Sequence, residues 1–235
     1  MNQILKSFVA AAVLATAFGA QANNSWSLYD YTATLNNSTT ISGTSFAAGA
    51  QVTGQVYVLN GVTPDNNGWG FAGEVARYVD SVNAFSFKTK GLSVTGTGAG
   101  NAEVDNNRRL TKRGSAYQDV FLANLLPEAT THFSDTTQGG GVTGLSFELR
   151  SPFLGGAPSA TTSLALPGSV NVGLFSSLND LHLSFGNVSS LDATITSMQV
   201  SQVSQIAAVP EPSSAALAAL GLASLSLARR RLRKT

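Results

Sequence analysis

Leu145-Ser146-Phe147-Glu148-Leu149-Arg150 is the stretch on which the fold turns. Leu145, Phe147 and Leu149 alternate with Ser146, Glu148 and Arg150, the period of a strand with one face buried and one in water. The pattern recurs downstream. Val170, Val172 and Leu174 alternate with Asn171 and Gly173; Leu181, Leu183 and Phe185 with His182 and Ser184; Leu191, Ala193 and Ile195 with Asp192 and Thr194. In the last run the apolar phase shifts at Met198 and Val200, which predicts a bulge near Thr196-Ser197. Four successive half-buried strands imply sheet packed on sheet. The expected fold is all-β, an antiparallel β-sandwich of jelly-roll type.

Upstream, Tyr29 and Tyr31 are two apart and share a strand face, and Asn36-Asn37-Ser38 marks a turn before a return strand over Thr39–Phe46. Gln51–Leu59 reads as a strand with Val52, Val56 and Val58 on one side and Gly54 between them. Trp69–Val79 alternates so that Phe71, Val75 and Val79 share a face. Val82–Lys88 and Leu92–Thr95 flank a turn and read as a hairpin. Gly96-Thr97-Gly98-Ala99-Gly100 reads as a flexible loop; residue 101 is Asn and no helix pattern follows, so it is no dinucleotide fingerprint. Ala116–Leu126, with Val120, Ala123 and Asn124 at helical spacing and Pro127 after it, is the one candidate helix of the body.

Both ends of the chain read as export signals. Lys6, the apolar run Ser7–Phe18 and the small-x-small triplet Ala20-Gln21-Ala22 make residues 1–22 a signal peptide cleaved after Ala22, an uncleaved anchor being the alternative. At the other end, Val209-Pro210-Glu211-Pro212 is a stiff strip, since each proline fixes its own φ and extends the residue before it. Ser213–Ala228 follows with five Leu, six Ala, four Ser, one Gly and no charge. That composition predicts a helix of about 24 Å, a single transmembrane span slightly shorter than a hydrocarbon core of about 30 Å; a buried core helix is the alternative. Arg229, Arg230, Arg231, Arg233 and Lys234 then form a basic membrane stop that belongs on the cytoplasmic side. The expected organisation is signal peptide 1–22, β body 23–208 and tail 209–235.

The tail resembles the PEP-CTERM sorting signal: the Pro210-Glu211-Pro212 motif, the hydrophobic helix and the Arg-rich terminus stand in that order. The resemblance implies an exported protein of a Gram-negative cell and processing by an exosortase, a membrane transpeptidase. It implies transient anchoring in the inner membrane through residues 213–228, then a place at the cell surface or in an exopolysaccharide or biofilm matrix. It says nothing of what the body does there.

The body from Asn23 to Ala208 has eight basic and twelve acidic residues, a net charge of −4 that the basic tail hides in a whole-chain value of +1. A nucleic-acid partner would call for a basic face, so none is expected. The chain has no Cys, which rules out disulfides, thiolate metal sites and a Cys nucleophile. There is no Gly-x-Ser-x-Gly elbow and no His-Glu-x-x-His, and His132 and His182 are fifty residues apart. Glu74, Glu103, Asp105, Asp119 and Glu148 are the carboxylates from which a glycosidase pair would be drawn. Glu148, however, shares an outward row with Arg150 and reads as half of a surface ion pair. No catalytic residue and no resident metal is expected. Asp65-Asn66-Asn67 and Asp105-Asn106-Asn107 offer oxygens of the kind Ca²⁺ takes, without the closing Glu of a calcium loop, and read first as turns. Asp65, Asn66, Asn67 and Trp69 are the candidate glycan contacts, an indole to stack on a sugar and amides to bind its hydroxyls; Trp69 as core is the alternative. The basic run Arg108–Arg113 is the candidate contact for acidic polysaccharide. The expected role is structural or adhesive, in a matrix. A carbohydrate-binding module and a polysaccharide-modifying enzyme are the rivals.

Overall fold

The structure is a computed structural model and describes residues 25–65, 74–109, 117–126, 131–135, 141–153, 160–186 and 189–203. The signal peptide with Ala20 and Ala22, the loop residues Asn66, Asn67 and Trp69, and the whole tail from Val209 lie outside the described residues.

The described chain is all-β. Its strands are β1 Trp26–Leu35, β2 Thr39–Ile41, β3 Thr44–Phe46, β4 Gln51–Leu59, β5 Val75–Thr89, β6 Leu92–Arg109, β7 Tyr117–Leu125, β8 His132–Asp135, β9 Val142–Arg150, β10 Leu178–Phe185 and β11 Ser190–Val203. One sheet takes the order β5-β4-β1-β11-β10-β9-β7-β6-β8, and β5 also pairs with β6, so that eight strands close on themselves and the short β8 adds to β6. Every neighbour is antiparallel. The expected sandwich is therefore corrected to a barrel-like sheet of eight strands that run up and down in chain order. Alternation establishes only that each strand has a buried face. It does not distinguish two packed sheets from one sheet curled on itself, and closure leaves only the four-residue β8 as an edge of this sheet.

With eight strands the interior is just wide enough for side chains to fill it. Here a chain of rings crosses it. Tyr31 meets Phe85 at 6.1 Å between centroids, Phe85 meets Phe147 at 6.2 Å, and Phe147 and Phe121, then Phe121 and Tyr29, meet at 5.1 Å. Leu145, Leu149, Leu181, Leu183, Phe185, Leu191, Ala193 and Ile195 complete the lining, each on the inward face that its alternation requires. The bulge expected near Thr196-Ser197 is present: Thr32 pairs with Ser197 and Ala33 with Ile195, so Thr196 is left over.

Both barrel mouths are covered. At one, a strap over residues 160–175 buries Val172 and Phe175 and accepts hydrogen bonds from two interior tyrosines, Tyr29 to the Pro167 carbonyl (3.0 Å) and Tyr78 to the Leu164 carbonyl (2.7 Å). The strand expected over Val170–Leu174 is instead a single 3₁₀ turn, Val172–Leu174, because the Asn171 side chain caps the Gly173 amide. At the other mouth the return strand expected over Thr39–Phe46 is a hairpin in itself. Ser42 (φ 49°) and Gly43 (φ 81°) turn it, and Ile41 and Phe46 enter the core.

Three further expectations change. Tyr117–Leu125 is β7 rather than a helix: Phe121, Ala123 and Leu125 point inward with period two, and the helical spacing noted above was a coincidence of that pattern. Gly96–Gly100 is no loop but lies inside β6. A side chain at Gly96 would overlap the rings and methyls of Phe133 and Leu125, and one at Gly100 the Asn124 carbonyl. In β5 the inward residues are Ala76 and Tyr78, and Val79 is 42% exposed, because a bulge at Asp80 (φ 56°) resets the phase before Val82.

Candidate functional site

Aromatic rings occupy the lumen, so the side chains left open to solvent are those of the outer wall. Among the described strands most exposed side chains are polar. Four features of that wall bear on function.

The first is a transverse row over β6, β7, β9, β10 and β11 that carries acids on β6, β9 and β10. Glu103, Leu122, Glu148, Asp180 and Thr194 stand in one transverse line, with Asp105, Val120, Arg150 and Leu178 in the next. Glu148 pairs with Arg150 at 2.6 Å, as their shared outward row implied. Desolvation by burial and the neighbouring Asp192 and Glu148 raise the Asp180 pKa. Asp105 is fully buried; Arg108 reaches its Oδ2 at 3.0 Å while its Oδ1 has no hydrogen-bond partner among the described residues. Burial raises its pKa to about 6. Glu74 is bound to Arg109, through Nε at 2.6 Å and the backbone amide at 2.9 Å. The described part of the candidate polysaccharide-binding run, Arg108 and Arg109, is thus already engaged by this protein's own carboxylates.

The second is the end of β6. Asp105-Asn106-Asn107 forms a β-bulge: the register shifts between Asp105 and Arg108, and Asn107 takes φ 54°. The Asp119 carboxylate ties this bulge to the strap, accepting from the amides of Asn107 (2.7 Å), Ala160 (2.6 Å) and Thr161 (3.1 Å). Asp119 is therefore a clasp. Asp65, the described member of the other run, makes a backbone bridge to Arg77.

The third is Ser146, His182 and Asp192, which stand in register on β9, β10 and β11. His182 Nδ1 and Asp192 Oδ1 are 2.5 Å apart. The order is that of a catalytic triad, but among the described residues no hydrogen bond joins Ser146 to the imidazole, and Ser190 bonds Asp192 instead (3.1 Å). His182 and Asp192 are each 44% exposed, without the water-excluding surroundings a nucleophilic serine needs. His182 is on the outward face, as its alternation predicted.

A fourth feature had no local signal in the chain. A recess of about 430 Å³ lies over β1, β4 and β11, lined by Asp30, Thr32, Thr53, Gln55, Lys88, Ser197 and Gln199, with Tyr31 and Gly54 also lining it. Its residues come from four strands, and only the register brings them together. The polar phase of each strand was the one clue available.

The remaining segment is the tail, which follows β11 in the sequence. The chain carries a PEP-CTERM protein-sorting motif, matched over residues 208–234. The match spans Val209, Pro210, Glu211 and Pro212 and the basic residues Arg229 to Lys234. A PEP-CTERM motif marks an exported protein processed at the membrane, and its general partner is an exosortase. No curated protein and no solved structure matches the chain.

Proposed function

We propose that the protein is a non-catalytic matrix component: a barrel that is exported, held briefly in the inner membrane by residues 213–228, cut from its tail by an exosortase-type transpeptidase, and lodged in an exopolysaccharide or biofilm matrix. The observation that carries this reading is the PEP-CTERM match at residues 208–234 on a body whose lumen is packed with rings and whose outer wall is polar. A body of that kind offers its outside to a hydrated polymer. Of the five candidate carboxylates, Glu74, Glu103, Asp105 and Glu148 lie against this protein's own arginines and Asp119 accepts from backbone amides, which favours a structural role for them over a pair of glycosidase carboxylates.

The sorting half is tested by mass measurement on surface-released protein, with cell fractions blotted in parallel. Replacing Pro210, Glu211 and Pro212 with Ala should leave insertion intact and block processing, so that full-length protein accumulates in the inner membrane. Replacing the five basic residues with Ser should loosen membrane retention, because they set the orientation of the span. Released protein that still carries Ser213–Thr235 would make the tail a permanent anchor. A second reading, a carbohydrate-binding module, is favoured by one observation, the polar recess over β1, β4 and β11. Ca²⁺ would enter this reading only as an aid to glycan contact at Asp65-Asn66-Asn67, and titration with and without EGTA tests it.

A further inference from the structure

We infer that the recess over β1, β4 and β11 binds a neutral, hydroxyl-rich glycan. The inference rests on the matrix reading joined to the carbohydrate-binding reading that the same recess favours, and names the surface that would carry it.

The recess is built from two transverse rows of outward side chains. Gln199, Asp30 and Gln55 form one; Ser197, Thr32, Thr53 and Lys88 form the other. The Thr196 bulge bends β11 beside them. On the β4 side the ladder is opened from within. Tyr31 crosses inside Gly54, where any side chain would collide with its hydroxyl, and donates to the Ser86 carbonyl (2.5 Å), while the Gln55 amide turns to the Ser86 hydroxyl (3.0 Å). The volume of about 430 Å³ is within the range of small-ligand sites.

The chemistry of the lining selects the ligand. Gln55 Nε2 donates to Asp30 Oδ1 at 2.7 Å, which fixes the carboxylate and leaves Oδ2 as an acceptor. Around it stand two amides and three hydroxyls, groups that both donate and accept, and an ammonium that only donates. Adjacent sugar hydroxyls, each a donor and an acceptor, match that mixture; an apolar ligand would find little surface to bury. Charge separates neutral from acidic glycans. The recess has one carboxylate and one ammonium, and the body around it has a net charge of −4, so a polyanion is repelled. Lys88 makes no ion pair among the described residues and is exposed, free to meet a ring oxygen or hydroxyl.

The test uses the full chain in mild detergent. Wild type and the double variant D30A/Q199A are titrated with cellohexaose, maltohexaose and hexagalacturonate, and co-sedimented with exopolysaccharide from cells that make it. Both substituted side chains face outward, and an unchanged melting temperature confirms the fold of the variant. The expected result is binding of a neutral hexamer, or of the exopolysaccharide, that the variant weakens about tenfold or more, the scale of losing a charge-assisted hydrogen bond. Hexagalacturonate should bind at least about tenfold more weakly than the neutral hexamer, on the same scale. Exopolysaccharide binding that the variant leaves unchanged overturns the recess and spares the matrix reading. A wild type that binds none of the probes overturns both. A preference for hexagalacturonate overturns the neutral class.

Discussion

The wall of β9, β10 and β11 and the wall of β5 and β6 make different contributions to one barrel. The first is nearly even in register and turns bulky residues inward at every second position: Leu145, Phe147, Leu149, Leu181, Leu183, Phe185. The second is a hairpin of strands 15 and 18 residues long, with bulges around Asp80 and between Asp105 and Arg108, and glycines at 96, 98 and 100. The even wall supplies volume and the bulged wall supplies curvature. A ring of strands needs both, since flat sheets do not close.

The sharpest way to break the even wall is at Phe147, where the rings of Phe85 and Phe121 converge. Phe147→Ala should lose about 3–5 kcal/mol in urea denaturation, because the removed ring leaves a cavity that β-barrel backbone cannot collapse into. A loss below about 1 kcal/mol, the range of exposed sites, would mean the ring chain does not fill the lumen.

At the bulged wall the largest effect depends on pH. Asp105 lies beneath the strap, with Thr161 Oγ1 on its carbonyl at 2.9 Å. Burial raises its carboxyl to about 6 from the ordinary 3.8, helped by Glu103 and Glu148 and opposed by Arg108. Between those two values the folded protein keeps a proton that the unfolded chain has released. Stability from this group is therefore full below about pH 4 and falls as pH rises through 6, by about 3 kcal/mol in total. Asp105→Asn should remove that slope. Denaturation of both proteins at pH 4.5 and 7 checks it: parallel curves for wild type and D105N would show that Asp105 ionises freely in the fold.

The glycines of β6 give a smaller, sharper contrast. An alanine methyl at Gly100 would press on the Asn124 backbone carbonyl, which cannot swing away; at Gly96 it would meet the ring of Phe133 and a Leu125 methyl, which can. Gly100→Ala should cost about 1–3 kcal/mol, as overpacking does, and Gly96→Ala clearly less. Equal thermal shifts for the two would mean that β6 moves as a rigid unit against β7.

These contrasts explain what the sequence disclosed. The even wall was legible because Leu145–Arg150, Leu181–Phe185 and Leu191–Ile195 each keep one phase from end to end, and even the Thr196 bulge showed as a phase slip at Met198. Of the bulged wall only the hairpin Val82–Lys88 with Leu92–Thr95 was legible; beyond it a bulge reverses the phase within one strand, and glycine at an inward position leaves no apolar residue to count. Tyr117–Leu125 failed for another reason: Val120 is an apolar residue on the outward phase, and with the inward Ala123 three residues on it imitates helical spacing. Closure itself was unreadable, since it needs β1 to pair with β11 from the opposite end of the body, and local spacing carries no signal of that pairing. The recess depends on register across four strands, which no local spacing encodes.

The smallest expected effect returns to the even wall and separates its two faces. His182 and Phe185 lie on one strand, but Phe185 is 3% exposed in the core while the His182 side chain is 44% exposed beside Asp192. An exposed ion pair contributes about 0–1 kcal/mol, and much of that is offset by ordering two side chains. His182→Ala should therefore fall within about 0.5 kcal/mol of wild type, where Phe185→Ala loses about 3–5 kcal/mol. The same variant tests the catalytic alternative. If Ser146, His182 and Asp192 merely share a row, the full chain leaves p-nitrophenyl acetate at its background rate of hydrolysis, and neither His182→Ala nor Ser146→Ala changes it. Turnover above background that both substitutions abolish, with stability unmoved, would make the outer wall of this barrel an esterase surface and end the non-catalytic reading.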